Sequence, residues 1–283
     1  MISRPPFVQD LRQIADNLVL SDGGLWVCPG HRDFKFLETD ATDWAGLELR
    51  SFWYRHRNRC FLALTERFPP AGVLFEIGAG NGSVSLALQN AGYPVVAVEP
   101  TAKLACRALH RGVRHVVCST LEGAKFRAGS ISNAGLFDVL EHIPDDEAFL
   151  TTLRRLMPVG GRLYCAVPAW QLLWSREDEY AGHVRRYAPA GFRRKIERAG
   201  FEIEHETGYF AALTLPIFLR RALPSWLGLR GQRTSASSEQ EHQPSFEFVA
   251  RVLRGILDRE IVKISAGEKR RLGASLFVVA RAV

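Results

Sequence analysis

The 283-residue chain is 47% hydrophobic and 24% charged, the composition of a soluble globular protein with room for one large domain or a domain carrying an insertion, and not that of a disordered or fibrous one. Its net charge of +7 suits an anionic substrate or surface, but the basic residues are dispersed without a basic tail or a nucleic-acid module, so nucleic acid is not an expected partner. No run of about 18 apolar residues occurs, which excludes a membrane-spanning helix as an expectation.

The opening MISRPPFVQDLRQ has no continuous apolar stretch, so no secretory signal is expected. Five scattered cysteines without a CxxC pair (Cys28, Cys60, Cys106, Cys118, Cys165) read as reduced thiols of a cytoplasmic protein. Cys28 and His31 in CPGH look like half of a zinc knuckle, but no second pair follows at ligand spacing, and no metal site is expected. Residues 1–70 form an aromatic and arginine-rich segment, notably SFWYRHRNRCFLAL at Ser51–Leu64, which is expected to cap the fold.

From Val73 onward strands and helices alternate. Strands are predicted at Val73–Ile77, Pro94–Val98, Arg114–Cys118, Ile131–Phe137, Arg162–Val167, Phe201–Glu206 and Ser275–Ala282. Helices are predicted after the first strand up to about Gly92, around Ala102–His110, within Asp145–Gly161 and within Pro189–Gly200. The third of these is the clearest, with aspartates at its start, Phe149, Leu150, Leu153, Leu156 and Met157 on one side, and Pro158 with Gly160 and Gly161 to stop it. Such alternation means an open, largely parallel α/β sheet with helices on both faces. Residues 71–207 are the core, 208–272 an insertion or lid containing the polar stretch GQRTSASSEQEHQPS, and 273–283 the final strand.

The first strand runs into FEIGAGNG, which places Gly78, Gly80 and Gly82 in the first strand-to-helix turn, where open sheets bind ligands. The spacing is GxGxG rather than the GxGxxG of dinucleotide sites, and no GK[ST] follows for a phosphate loop. Glu76, two residues before Gly78, disfavours a pyrophosphate and favours a ligand bearing an amine; it could instead cap the next helix or pair with an arginine. Glu99 ends the second strand, where a carboxylate accepts hydrogen bonds from ribose hydroxyls. An amine and a ribose without phosphates describe S-adenosylmethionine.

With these residues the chain resembles the class I S-adenosylmethionine-dependent methyltransferases. ExGxGxG at Glu76–Gly82 looks like their first motif and VVAVEP at Val95–Pro100 like their second strand. LFDVLEHIPDD at Leu136–Asp146 and LMPVGGRLYCAVP at Leu156–Pro168 look like the segments around their fourth and fifth strands. FWYRHRNR and the run from Val167 to Phe201 resemble a subgroup found among bacterial enzymes of cell-surface polysaccharide and lipid assembly. The resemblance implies a Rossmann-like seven-stranded sheet of order 3-2-1-4-5-7-6 with the last strand antiparallel, an N-terminal helical cap, and S-adenosylmethionine as cofactor. It implies that Glu76, Gly78, Gly80 and Gly82 line the methionine end, that Glu99 takes the ribose, and that Pro100 and Thr101 lie beside the adenine. The third strand ends in CSTLEG where the family has an acidic residue, so Ser119, Thr120 and Leu121 take its place beside the adenine.

Asp138 and His142 follow the fourth strand and so lie beside the methyl donor, or else cap a turn and pack. DEYAGHVRRY, with Gly182 inside it, reads as a loop over the pocket mouth or as a surface ion-pair cluster. There Asp178, Arg186 and Tyr187 would contact substrate, an arginine clamping an anion bidentately. Either His142 or His183 would serve as base, because imidazole exchanges protons near neutrality. Trp170 and Trp174 are core residues or an apolar platform for a ring or sugar. Leu215–Arg230 mixes apolar residues with arginines, as a packing helix or a segment at the inner face of a membrane would. The expected activity is O-methylation of a small-molecule, sugar or lipid-linked acceptor. A non-catalytic binder of the same cofactor and a nicotinamide-dependent oxidoreductase are the alternatives.

Overall fold

The computed structural model describes residues 10–30, 51–229 and 247–283; His31 and the polar stretch at 231–245 lie outside them. One sheet of nine strands dominates: β1 (Val19–Leu20), β2 (Trp26–Val27), β3 (Leu74–Ile77), β4 (Val95–Val98), β5 (Val116–Cys118), β6 (Asn133–Phe137), β7 (Arg162–Pro168), β8 (Phe201–Tyr209) and β9 (Ser275–Ala282). Their order is β1-β2-β5-β4-β3-β6-β7-β9-β8. Strands β5, β4, β3, β6 and β7 run parallel, and β9 enters antiparallel between β7 and β8. The last seven strands thus have the expected 3-2-1-4-5-7-6 order.

Two strands are additional. The β1–β2 hairpin joins the sheet edge through β2, which runs parallel to β5 with Trp26 opposite Val117. The sequence reading placed residues 19–27 in a cap; strands of two residues have no period to read. Cys28, at the end of β2, is buried with its Sγ 3.1 Å from the Gly123 carbonyl. Strand β8 also runs to Tyr209, three residues past the predicted end at Glu206.

Every residue of β3 and β4 is buried, because helices cover both faces of the sheet and each strand must be apolar on both sides. Alternation divides them. Phe75, Ile77, Val96 and Val98 enter one core with Leu150 and Leu153 of α4 (Asp146–Leu156) and Phe192 and Ile196 of α6 (Pro189–Arg198). Leu74, Val95, Tyr164 and Phe277 enter the other, against Cys60, Phe61 and Leu64 of α1 (Phe52–Arg67). Helix α2 (Ser83–Asn90) follows β3, and α3 (Ala102–His110) follows β4. A short α5 (Arg176–Ala181) precedes α6, and α7 (Glu247–Ser265) lies against α1.

Ser51 starts α1 by accepting the Trp53 amide at 3.2 Å. A buried ion pair then ties α1 to α7, with His56 Nε2 2.8 Å from Glu260 Oε2. The same carboxylate accepts the backbone amides of Phe210 at 2.7 Å and Ala211 at 3.0 Å. That fixes the turn after β8, where Phe210 has φ 59° and stacks on Trp53 at 3.7 Å. The helical stretch Thr214–Trp226 buries Ile217 and Ala222 and exposes Leu215, Leu219 and Trp226. Among the described residues no helix is long and apolar enough to cross a membrane.

Candidate active site

Because β4, β3 and β6 are adjacent and parallel, the loops leaving their C-terminal ends converge. The β3 loop carries the three glycines, each with positive φ, and they are bare for different reasons. A Cβ on Gly78 would stand 2.8 Å from Val139 Cγ2, and one on Gly82 would stand 2.7 Å from Ala108 Cβ and 2.8 Å from Val113 Cγ2. Both leave room for the protein itself. At Gly80 a Cβ would meet nothing within 4 Å, so this residue faces open space and is the place where a ligand can approach the backbone.

Glu99, buried at the end of β4, fastens that loop: its Oε2 accepts the Gly80 amide and its Oε1 the Thr101 amide, both at 2.8 Å. Its place at the end of the second parallel strand is the one from which a carboxylate reaches ribose hydroxyls. The buried hydroxyls of Thr101 and Ser119 have no protein partner, so polar groups of this kind line the same end of the sheet. Pro100 and Thr101 are half-buried at the start of α3. Thr120 accepts the Gly123 amide at 2.9 Å, and Leu121 is buried in the core. Glu76, buried in β3, accepts the hydroxyl of Ser85 in α2.

The β6 loop begins at Asp138, which has φ 58°, a left-handed backbone that signals a constrained position. Its carboxylate pairs with Arg57 of α1 at 2.9 Å. The neighbouring Asn58 donates to Ser83 Oγ at 3.0 Å. Helix α1 therefore bonds to the loops of both β3 and β6. The sequence reading marked the segment but neither of these residues; the chemistry of Arg57 and Asn58 is visible only once α1 lies over the loops.

Beyond Asp138, His142 and His183 meet edge to face with ring centroids 4.8 Å apart. His142 Nδ1 is 3.2 Å from the Gly182 carbonyl and His183 Nδ1 is 2.8 Å from Asp178 Oδ1. Burial and the neighbouring His183 push the His142 pKa down to about 4, so it is neutral at pH 7. Burial would raise the carboxyl of Asp178, but the bonds from His183 and Arg186 outweigh it and hold the group below its ordinary value. Glu141, which the sequence reading passed over, is 1% exposed and stands 4.0 Å from His183 Nε2 through Oε1. Burial, then the Asp138 charge, drive its pKa well above the ordinary range.

DEYAGHVRRY is not a plain loop. Ser175 and Asp178 form a capping box for α5, and Gly182 ends that helix at φ 75°. Asp178 is corrected from a substrate contact to a positioning carboxylate, 1% exposed and bonded to Ser175, His183 and Arg186. Arg186 is turned inward onto Asp178 at 2.8 Å and the Ala169 carbonyl at 3.3 Å, so its guanidinium does not reach outward as an anion clamp. Tyr187 is a core residue whose hydroxyl donates to Asp146 at 2.7 Å. Trp170 packs against both cores and donates its indole N–H to the Gly273 carbonyl at 3.0 Å. Trp170 and Trp174 are both half-buried.

A family model described as a methyltransferase domain matches residues 47–206. A ubiquinone biosynthesis O-methyltransferase of Xanthomonas axonopodis pv. citri (strain 306) is 29% identical over 165 residues, covering 51% of this chain and 69% of that protein. An S-adenosylmethionine-dependent methyltransferase of Thermotoga maritima superposes with a TM-score of 0.52 at 17% identity, over 85% of this chain and 96% of that one. The [4+2]-cyclase SpnF superposes with a TM-score of 0.52 at 15% identity, over 82% and 84% of the two chains. At such identities these structures show a shared fold, and a cyclase among them illustrates that the fold does not fix the reaction.

Proposed function

The chain belongs to the class I S-adenosylmethionine-dependent methyltransferases, and from that premise we propose that it methylates an oxygen of a small-molecule, sugar or lipid-linked acceptor. The observation that carries this reading is the placement of two constellations at the C-terminal ends of neighbouring parallel strands. One is the Gly80–Glu99 crevice and the other is the His142–His183 cluster beyond Asp138. The O-methyltransferase activity of the Xanthomonas relative is in keeping with it.

The cofactor, when bound, would supply an electrophilic methyl group on a positively charged sulfur. Glu99 would hold its ribose hydroxyls, and Gly80 would let the backbone come close. Arg57 fixes Asp138 and keeps the β6 loop in place. Orientation of this kind contributes roughly 7–11 kcal/mol to such a reaction. The proton of an acceptor hydroxyl would pass to the Glu141–His142–His183 cluster as the methyl group is transferred. His142, with a pKa near 4, holds a proton poorly; His183, oriented by Asp178, is the better placed of the two.

The test is transfer of a labelled methyl group from S-adenosylmethionine to a fractionated cell extract, with the labelled product identified as a methyl ether. His183→Ala is expected to lower turnover at least tenfold while the affinity for S-adenosylhomocysteine, read by calorimetry, is kept. Binding of NAD in place of that ligand overturns the reading in favour of an oxidoreductase. Binding without any labelled product leaves a non-catalytic binder.

A further inference from the structure

We propose that Glu141, His142 and His183 hold one divalent transition-metal ion, of the borderline class to which zinc belongs. Each of the three offers a ligand atom, and these atoms lie within 4.8 Å of one another. Metal–ligand bonds of about 2.0–2.2 Å close such a set through side-chain adjustments alone.

The hydrogen bonds behind the two imidazoles are those a metal site requires. A carbonyl oxygen only accepts, so the 3.2 Å contact to Gly182 O makes His142 Nδ1 the protonated nitrogen and Nε2 the lone-pair donor. Asp178, ionised and bonded to Arg186, does the same for His183 through the 2.8 Å contact to Nδ1. Histidine ligands are held in this way, by a carboxylate or a carbonyl on the far nitrogen.

Glu141 supplies the independent indication. It is 1% exposed, and its Oε2 is buried with no hydrogen-bond partner among the described residues. An orphaned carboxyl oxygen in the interior is costly. A dication between Glu141 and the two imidazoles would satisfy that oxygen. The backbone is also committed to the arrangement: the Val184 amide donates to the Glu141 carbonyl at 2.8 Å, which fastens the segment carrying His183 to the segment carrying Glu141 and His142.

Two imidazoles and one carboxylate select zinc, cobalt, iron or manganese over magnesium and calcium, which prefer oxygen donors. Three protein ligands leave positions open for water or an acceptor oxygen, the pattern of a catalytic rather than a structural site. This deepens the O-methylation reading and rests on it for its role: with the ion in place the imidazoles act as ligands in exchange for the base role given to His183, and an acceptor oxygen bound there would release its proton to solvent more readily. The binding itself stands apart from any transfer.

The test uses the full chain, stripped with a chelator and titrated with Co²⁺ as a spectroscopic probe and Zn²⁺ as competitor. One equivalent of cobalt is expected to bind with visible absorption of nitrogen and oxygen coordination, and zinc should displace it. Glu141→Gln should weaken binding more than tenfold, and Asp178→Asn by about 10–100-fold. Thermal unfolding checks that each variant is folded. Absence of a cobalt spectrum in the wild-type chain overturns the proposal, as does unchanged affinity in folded Glu141→Gln. Should that variant not fold, unchanged affinity in Asp178→Asn has the same force. Cobalt binding without methyl transfer keeps the site and removes the transferase reading; full transfer by a chain that binds no metal does the reverse.

Discussion

Gly82 and Gly80 stand two residues apart and answer to different constraints. A Cβ at position 82 would collide with Ala108 and Val113 in a backbone of φ 76°. Gly82→Ala is therefore expected to cost about 2–4 kcal/mol in strain and overpacking, read as a lower denaturant midpoint. At Gly80 the φ is 54° but the added methyl meets nothing. Gly80→Ala should cost only about 1–2 kcal/mol and leave a folded protein whose affinity for S-adenosylhomocysteine falls at least tenfold. Wild-type affinity in that variant would mean that the loop does not touch the ligand. The glycine spacing marks the turn in the sequence, yet it cannot say which glycine faces solvent, because Val139, Ala108 and Val113 are distant in sequence and arrive only with the fold. Glu141 shows the same limit: in the run DVLEHIPDD it is one acid among four, and only the turn after β6 drives it, unlike Asp145, into the interior.

At the scale of elements, the buried pair between α1 and α7 decides how the cap is held. Glu260 serves His56, the amides of Phe210 and Ala211, and Arg270 at 3.1 Å. Removing it leaves a buried imidazole and two amides without their acceptor, so Glu260→Ala is expected to lose about 3–5 kcal/mol. Glu260→Gln, which keeps an acceptor oxygen, should lose less. A thermal midpoint for Glu260→Ala within a degree of wild type would show that the cap is held by the Trp53–Phe210 stack and the surrounding apolar contacts. None of this is legible from the chain, since His56 and Glu260 are 204 residues apart. The strands of the sheet are legible for the opposite reason: β3, β4 and β7 are buried on both faces, and sandwiched strands must be short apolar runs bounded by turn residues.

On the scale of the whole molecule, charge and exposed apolar surface converge on one region. The net charge of +7 is spread over the chain, but Leu215, Leu219, Trp226, Leu227 and Leu229 are all exposed, and Arg220 and Arg221 fall among them. Leu229 is 75% exposed and Leu215 63%, so Thr214–Leu229 only partly packs on the core through Ile217 and Ala222. An apolar face with basic residues is the composition that settles at an anionic bilayer surface, its tryptophan at the headgroup level. The full chain is expected to sediment with vesicles containing anionic lipid at low salt and to leave them as salt rises, since the attraction to headgroups is screened within a Debye length of about 10 Å at 0.1 M. Leu215→Glu combined with Leu229→Glu should abolish that binding without altering the thermal midpoint, because both side chains already face solvent. Equal sedimentation with neutral and anionic vesicles would remove the electrostatic half of the argument, and no sedimentation with either would assign the face to another role. A bilayer-seated segment at this end of the sheet would also favour the lipid-linked member of the acceptor classes, because it would bring such an acceptor to the enzyme already concentrated in two dimensions.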